Sequence, residues 1–200
     1  VNAFVSLLKR ADMTRYELFL RETRTYEIIE DVKNFRSEIG VLFLNSYNRD
    51  VLTKMFDDNR LTYTSLFKAR PHIFVSKSNP LAKHEVVSLE DLEEFPYLSY
   101  DQGIHNSFYY SEEILSQIPH KKSIVVSDRA TLFNLLIGLD GYTIATGILN
   151  SNLNGDNIVS IPLDIDDEID IVYLKHEKAT LSKMGEKFLD NLVKEVTFDN

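Results

Sequence analysis

Four short stretches carry residue types suited to holding a ligand. Thr23-Arg24-Thr25-Tyr26 and Ser127-Asp128-Arg129-Ala130-Thr131 each stand where a strand is expected to pass into a helix. A helix start presents unpaired backbone N–H groups and about half a positive charge, so it can bind carboxylate, sulfate or phosphate without an arginine. Plain helix capping is the competing use of the same Ser and Thr residues. Asp128 would oppose an anion at the second start; it would suit a ligand ammonium, or Arg129 beside it. The polar run Leu98-Ser99-Tyr100-Asp101-Gln102-Gly103-Ile104-His105-Asn106 and the pair Thr146-Gly147 follow two further strands. Either could line a cleft or form an ordinary loop.

Other chemistry is missing from the sequence. There is no G-x-G-x-x-G, no G-x-x-x-x-G-K-[ST], no G-x-S-x-G and no H-E-x-x-H. The histidines at 72, 84, 105, 120 and 176 include no pair at the close helical spacing of metal ligands. The acidic run Asp164–Asp170 looks calcium-like, but Ile169 and Lys175 stand where an EF-hand loop needs Gly and Glu. It reads as a solvated turn. Cysteine is absent, which excludes a disulfide framework, a thiol nucleophile and a thiolate metal site. No catalytic residue, metal ligand or cofactor is expected.

The elements that must position these stretches alternate between periods 3.6 and 2, as in α/β folds. Helices are expected near Phe4–Leu8, over 26–35 with Thr25 as its cap, around Val51–Phe56, over 106–117, from Ser127-Asp128 to Gly138, and over 181–196. Strands are expected at Tyr16–Leu20, Ile39–Leu44, Leu61–Lys68, His72–Val75, Tyr97–Tyr100, Ser123–Val126, Tyr142–Ala145, Asn157–Ile161 and Ile169–Leu174. Ser88-Leu89-Glu90-Asp91 resembles a capping box before a brief helix that Phe95-Pro96 stops. The central segment has its own strand–helix–strand set, which suggests a second lobe inserted into the first. Ligands would then sit where strand ends and helix starts of both lobes face a common cleft.

At 200 residues the chain can bury a substantial core, and 44% hydrophobic with 26% charged residues is ordinary globular usage. The net charge is −9, and the cations are scattered, with the densest pairs at Lys9-Arg10 and Lys121-Lys122. A duplex-binding surface needs clustered cations, so DNA binding by this chain alone is not expected. Nor is binding to an anionic membrane surface. No apolar run approaches the roughly 20 residues needed to span a bilayer.

Taken together, these residues resemble the effector-binding domain of LysR-type transcriptional regulators. The resemblance rests on Phe74-Val75-Ser76-Lys77-Ser78-Asn79-Pro80-Leu81-Ala82, then Ser88-Leu89-Glu90-Asp91-Leu92 and Pro96-Tyr97-Leu98, with Asn79 where the family usually has His. Val125-Val126-Ser127 through Leu135-Leu136, then Gly138 and Gly141-Tyr142-Thr143-Ile144, resemble a second family signature. Glu22–Val32 and Glu38–Leu42 resemble two more. The resemblance implies a two-lobe periplasmic-binding-protein type II fold whose lobes are joined by two crossover strands. It implies a first lobe of residues 1–74 plus 163–200 and an inserted second lobe of 75–162. It also implies a cytoplasmic homodimer or tetramer, with a small, anionic or zwitterionic effector in the cleft. Thr25, Tyr100, Ser127 and Thr146 are the effector contacts by family position. DNA would be reached only through an N-terminal winged helix-turn-helix absent from this chain. The family domain usually opens with a β-strand that supplies a Ser or Thr to the effector, and this chain begins at or just inside the helix after it.

The alternative is a solute-binding receptor of a transport system, which shares the two-lobe architecture but normally carries a leader and often an anchored Cys. An enzyme on the same scaffold finds no paired carboxylates, no nucleophile–base pair and no cofactor loop.

Overall fold

The computed structural model describes residues 1–10, 14–149 and 156–198. In chain order these form α1 (Asn2–Arg10), α2 (Thr25–Lys33), β1 (Gly40–Leu44), α3 (Arg49–Asp58), β2 (Leu61–Ala69), β3 (His72–Ser76), β4 (Tyr97–Tyr100), β5 (Ser123–Val126), α4 (Arg129–Gly138), β6 (Tyr142–Ala145), β7 (Ile158–Pro162), β8 (Ile169–His176) and α5 (Lys183–Phe198). Short 3-10 turns lie at Pro80–Lys83, Glu90–Leu92 and Phe108–Tyr110. Ser88 and Asp91 cap the second of these reciprocally, with Ser88 N–H donating to Asp91 at 2.9 Å and Asp91 N–H to Ser88 Oγ at 3.3 Å.

The strands divide between two sheets. One is a three-stranded antiparallel sheet ordered β1-β8-β2; the other has five strands ordered β5-β4-β6-β3-β7. In the second, β4 runs parallel to β5 and β6, while β3 is antiparallel to β6 and β7. The chain passes between the sheets twice, from β2 to β3 through Arg70-Pro71 and from β7 to β8 through residues 163–168. Pro71 lacks an N–H and leaves the ladder there. Its carbonyl accepts from Leu163 N–H at 3.0 Å, which ties the two crossovers together.

Side-chain alternation decides what each sheet buries. On β3, Ile73 and Val75 join one cluster with Tyr97, Ile114, Tyr142 and Ile144. Phe74 points the other way, into Leu98, Val126, Leu132 and Leu136. The five-stranded sheet is therefore covered on both faces. The three-stranded sheet packs Leu42, Leu44, Val172 and Leu174 against Ile29 and Val32 of α2 and Leu52 and Phe56 of α3.

Local expectations fail in four places. Residues 15–20 form no strand, and Tyr16, Leu18, Phe19 and Leu20 are exposed. A strand needs a partner for its backbone groups, and none lies beside this segment among the described residues. The helix expected over 106–117 is reduced to the turn Phe108–Tyr110, because the aromatic side chains there pack across onto the first lobe. Thr25 is the first residue of α2 rather than its cap; Arg24 holds the cap position. At the end of α4 the left-handed residue is Asp140, at φ 50°, rather than a glycine.

Candidate functional site

The parallel run of β5, β4 and β6 places three of the expected contacts at one edge. Tyr100 ends β4, Ser127 follows β5 and Thr146 follows β6. In open α/β sheets this carboxyl edge is where ligands collect. Ala145, next to Thr146, pairs with His72, so the edge lies beside the first crossover and faces the first lobe. Thr25 belongs to the first lobe, buried at the start of α2. Its neighbour Arg24 bridges to the second lobe: Nε donates to the Asp101 carbonyl and Nη2 to Asp101 Oδ2, both at 2.9 Å. Tyr100, Ser127 and Thr25 thus stand around one interlobe junction. Thr146 shares the strand edge, with no contact linking its side chain to the other three.

The junction has two ion pairs and an aromatic ladder. Beside the Arg24–Asp101 bridge, Arg129 pairs with Glu22, and its guanidinium lies 5.6 Å over the Tyr100 ring. Tyr26 stacks on His105 at 3.5 Å and Tyr47 on Tyr109 at 4.8 Å. The Tyr110 hydroxyl reaches Met55 Sδ at 3.6 Å. Gly103 permits the first bridge. Its φ is +63°, and a Cβ there would meet Arg24 Nη1 at 2.9 Å. Asp101 Oδ1 accepts from Gly103 N–H at 2.8 Å, fixing the turn.

A cavity of about 10 Å³ remains at the junction, lined by Asn45, Tyr47 and Asn48 from the first lobe and by Ser111, Glu113 and Gln117 from the second. Glu113 is 4% exposed. One carboxylate oxygen accepts from Tyr100 N–H at 3.0 Å, and the other has no hydrogen-bond partner. Burial, and then the charge of Glu112, push its carboxyl up to about 8. The Tyr100 hydroxyl and Gln102 Oε1 are likewise buried without partners.

The two helix starts differ. At α4, Asp128 accepts from Thr131 N–H at 2.9 Å and from the Thr131 hydroxyl at 2.7 Å. These bonds hold its carboxyl below the usual range. It therefore folds back on its own helix rather than pairing with Arg129. At α2 no side-chain cap is made by Arg24, and Glu27 instead takes the Thr23 hydroxyl and Arg24.

Glu22, Tyr47, Tyr109, Glu112 and Glu113 join this site although sequence reasoning did not name them. The usable signal was the aromatic triplet Phe108-Tyr109-Tyr110 ahead of the Glu112-Glu113 doublet, a pattern with no helical apolar stripe. Among the described residues no group of three or more His, Asp or Glu could hold a metal ion. None of their helices is long and apolar enough to cross a membrane.

A family profile described as LysR substrate binding domain matches residues 10–197. No curated protein sequence matches. Among solved structures, the chain is similar to the effector-binding domain of QuiR in complex with shikimate, at 17% identity and a TM-score of 0.63, covering 96% of this chain and 88% of that one. It is similar to the BenM effector-binding domain with its effector benzoate, at 17% identity and a TM-score of 0.63, covering 99% and 86%. It is also similar to full-length CbnR complexed with target DNA, at 12% identity and a TM-score of 0.62, covering 97% and 65%. At such identities these likenesses concern the fold: two lobes of the type II periplasmic-binding-protein kind.

Proposed function

The chain belongs to the LysR substrate-binding-domain family, and from that premise we propose that it is the effector-sensing domain of a transcriptional regulator, binding a small metabolite between its lobes. The observation that supports this most is the interlobe junction itself, where unpartnered buried groups from β4 and the following loop meet the start of α2. A ligand that settles there favours one lobe arrangement over another, which is what a sensor requires.

Thr25, Tyr100, Ser127 and Thr146 are the contacts in this reading. Asp128 already satisfies the first turn of α4, so the start of α2, which has no side-chain cap, is the better place for a ligand carboxylate. Asp101 opposite suits an ammonium, and the neutral Glu113 carboxyl offers a hydrogen bond. A zwitterion fits both better than a plain anion does. The lobes divide at the two crossovers, so that the boundary expected at 74/75 moves ahead of β3, which lies whole in the second lobe's sheet. The domain works in the cytoplasm as a homodimer or tetramer, makes no bonds of its own, and reaches DNA only through a separate winged helix-turn-helix. The shikimate and benzoate held by QuiR and BenM set the size range of the compound.

A thermal-shift screen of amino acids and organic acids tests this, since a ligand at 100 times its Kd adds about 2.7 kcal/mol. At least one compound should raise Tm, and Thr25→Ala and Ser127→Ala should each weaken that response by about tenfold in Kd with the apo Tm little changed. A screen without a hit, or equal affinity in both variants, overturns the site assignment.

A further inference from the structure

The seam between the lobes encloses an acid. Among the described residues, the walls of its cavity of about 10 Å³ carry Glu113 but no Lys, Arg or His. The amides facing it from the first lobe are already engaged. Asn45 Nδ2 donates to Asp167 at 3.2 Å and Asn48 Nδ2 to the Phe43 carbonyl at 3.3 Å. The segment that bears Glu113 is fastened on both sides. Tyr109 stacks on Tyr47 of the first lobe, and Ile114 is buried in the core of the second.

The groups packed around Glu113 supply little counter-charge. Tyr100 N–H donates to one carboxylate oxygen at 3.0 Å, and the other oxygen is sealed without a partner. Glu112 beside it is a second acid, itself raised by burial. Tyr97 and Tyr100 of β4 are phenols that burial keeps neutral. Arg129 of α4 is taken by Glu22. From the first lobe come the Tyr47 phenol and, beyond Asn45, the acid Asp167. An ionised carboxylate enclosed in this way is costly, and access to water is its most direct relief. Burial accordingly pushes the Glu113 carboxyl up to about 8. Leu115, two residues on, has a φ of 62°, a strained backbone for a residue with a side chain, which persists only while the surrounding packing enforces it.

We propose that Glu113 is a proton-operated latch between the lobes: protonated, it lets the seam close, and ionised, it favours a parted arrangement in which water reaches its carboxylate. Two arrangements that bind a proton unequally are shifted by pH as they would be by any ligand. With the closed value about 8 and the solvated value 4.5, the ratio of closed to parted chain falls about tenfold per pH unit between them and is level above the upper one. The proton acts without any metabolite, so the latch stands or falls apart from the effector contacts.

Distances between two nitroxide labels, measured by double electron–electron resonance on the 200-residue chain, test the proposal. The chain has no cysteine, so Lys54→Cys and Glu94→Cys, exposed in the first and second lobes, take the labels alone. One distance should dominate at about pH 5. At about pH 8.5 a second should grow, with the closed-to-parted ratio at least about tenfold lower and the circular dichroism spectrum unchanged. Glu113→Gln, which cannot ionise, should hold the closed distance at both pH values. Glu112→Gln, and His105→Phe in the stack with Tyr26 that spans the lobes, should each keep the response. A labelled parent whose distances ignore pH overturns the latch, and so does an equal response in Glu113→Gln. Loss of the response in Glu112→Gln or His105→Phe overturns it too, by moving the titrating group elsewhere. A new distance that appears only as the circular dichroism signal falls overturns it as unfolding.

Discussion

α2 and α4 each follow a short Ser- or Thr-bearing polar stretch and each bury two aliphatic residues, Ile29 and Val32 in the first and Leu132 and Leu136 in the second. Their starts diverge. Asp128 fills the first turn of α4 with a carboxylate from the chain itself, whereas Arg24 at the start of α2 turns away to grip Asp101 in the other lobe. A helix start whose N–H groups are capped by its own side chain is a structural fixture. The start of α2 has no such cap, its first-turn Glu27 being taken up by Thr23 and Arg24, and so has backbone binding capacity left over. The same sequence signal, a hydroxyl or acid ahead of an apolar stripe, thus served two ends.

If the helices differ only at their starts, equal deletions in their buried faces should cost alike. Ile29→Ala and Leu136→Ala, both at 0% exposure, should each lose about 2–5 kcal/mol in denaturant unfolding. A loss confined to one would show that the lobes do not unfold together and would break the comparison.

A smaller effect concerns the junction between them. Glu113 is raised from 4.5 to about 8, so between those values the folded chain holds more protons than the unfolded chain. Its unfavourable contribution is absent below about pH 4.5, grows as pH rises through the window, and is level above about 8. Glu113→Gln keeps the acceptor for Tyr100 N–H and removes the charge. At pH 8 it should fold with an equilibrium constant at least about tenfold more favourable than the parent, and the gap should close by about pH 4. Unfolding curves at the two pH values check this.

The caps themselves give the smallest difference. Asp128→Ala removes a side-chain cap and should lower Tm by roughly 2–4 °C. Arg24→Ala removes two half-exposed ion pairs, to Asp101 and Glu27, and should shift Tm by under about 2 °C. Differential scanning calorimetry separates the two. A larger loss for Arg24→Ala would reverse the assignment of fixture and binding start.

Much of the fold was legible in the sequence because its signals are local. Ile73-Phe74-Val75 alternates faces wherever it is placed, and Leu132 and Leu136 share a stripe in any helix. The candidate site was half legible. Thr25, Tyr100 and Ser127 sit at element ends that periodicity locates, so their arrival at one junction follows from the order of the strands. Glu113 was not legible, since nothing in its neighbours in the sequence reveals burial without a partner.

By itself, the sequence determined the period of each segment, the absence of thiol and motif-borne chemistry, and the two polar starts that flank the lobes. Tertiary structure alone decided three things. Tyr16–Leu20 found no neighbour among the described residues to complete its backbone bonds, Phe108–Tyr110 traded a helix for contacts across the lobes, and Glu113 was sealed from water. Periodicity acts within a segment, whereas partnering and desolvation depend on chain that arrives from elsewhere.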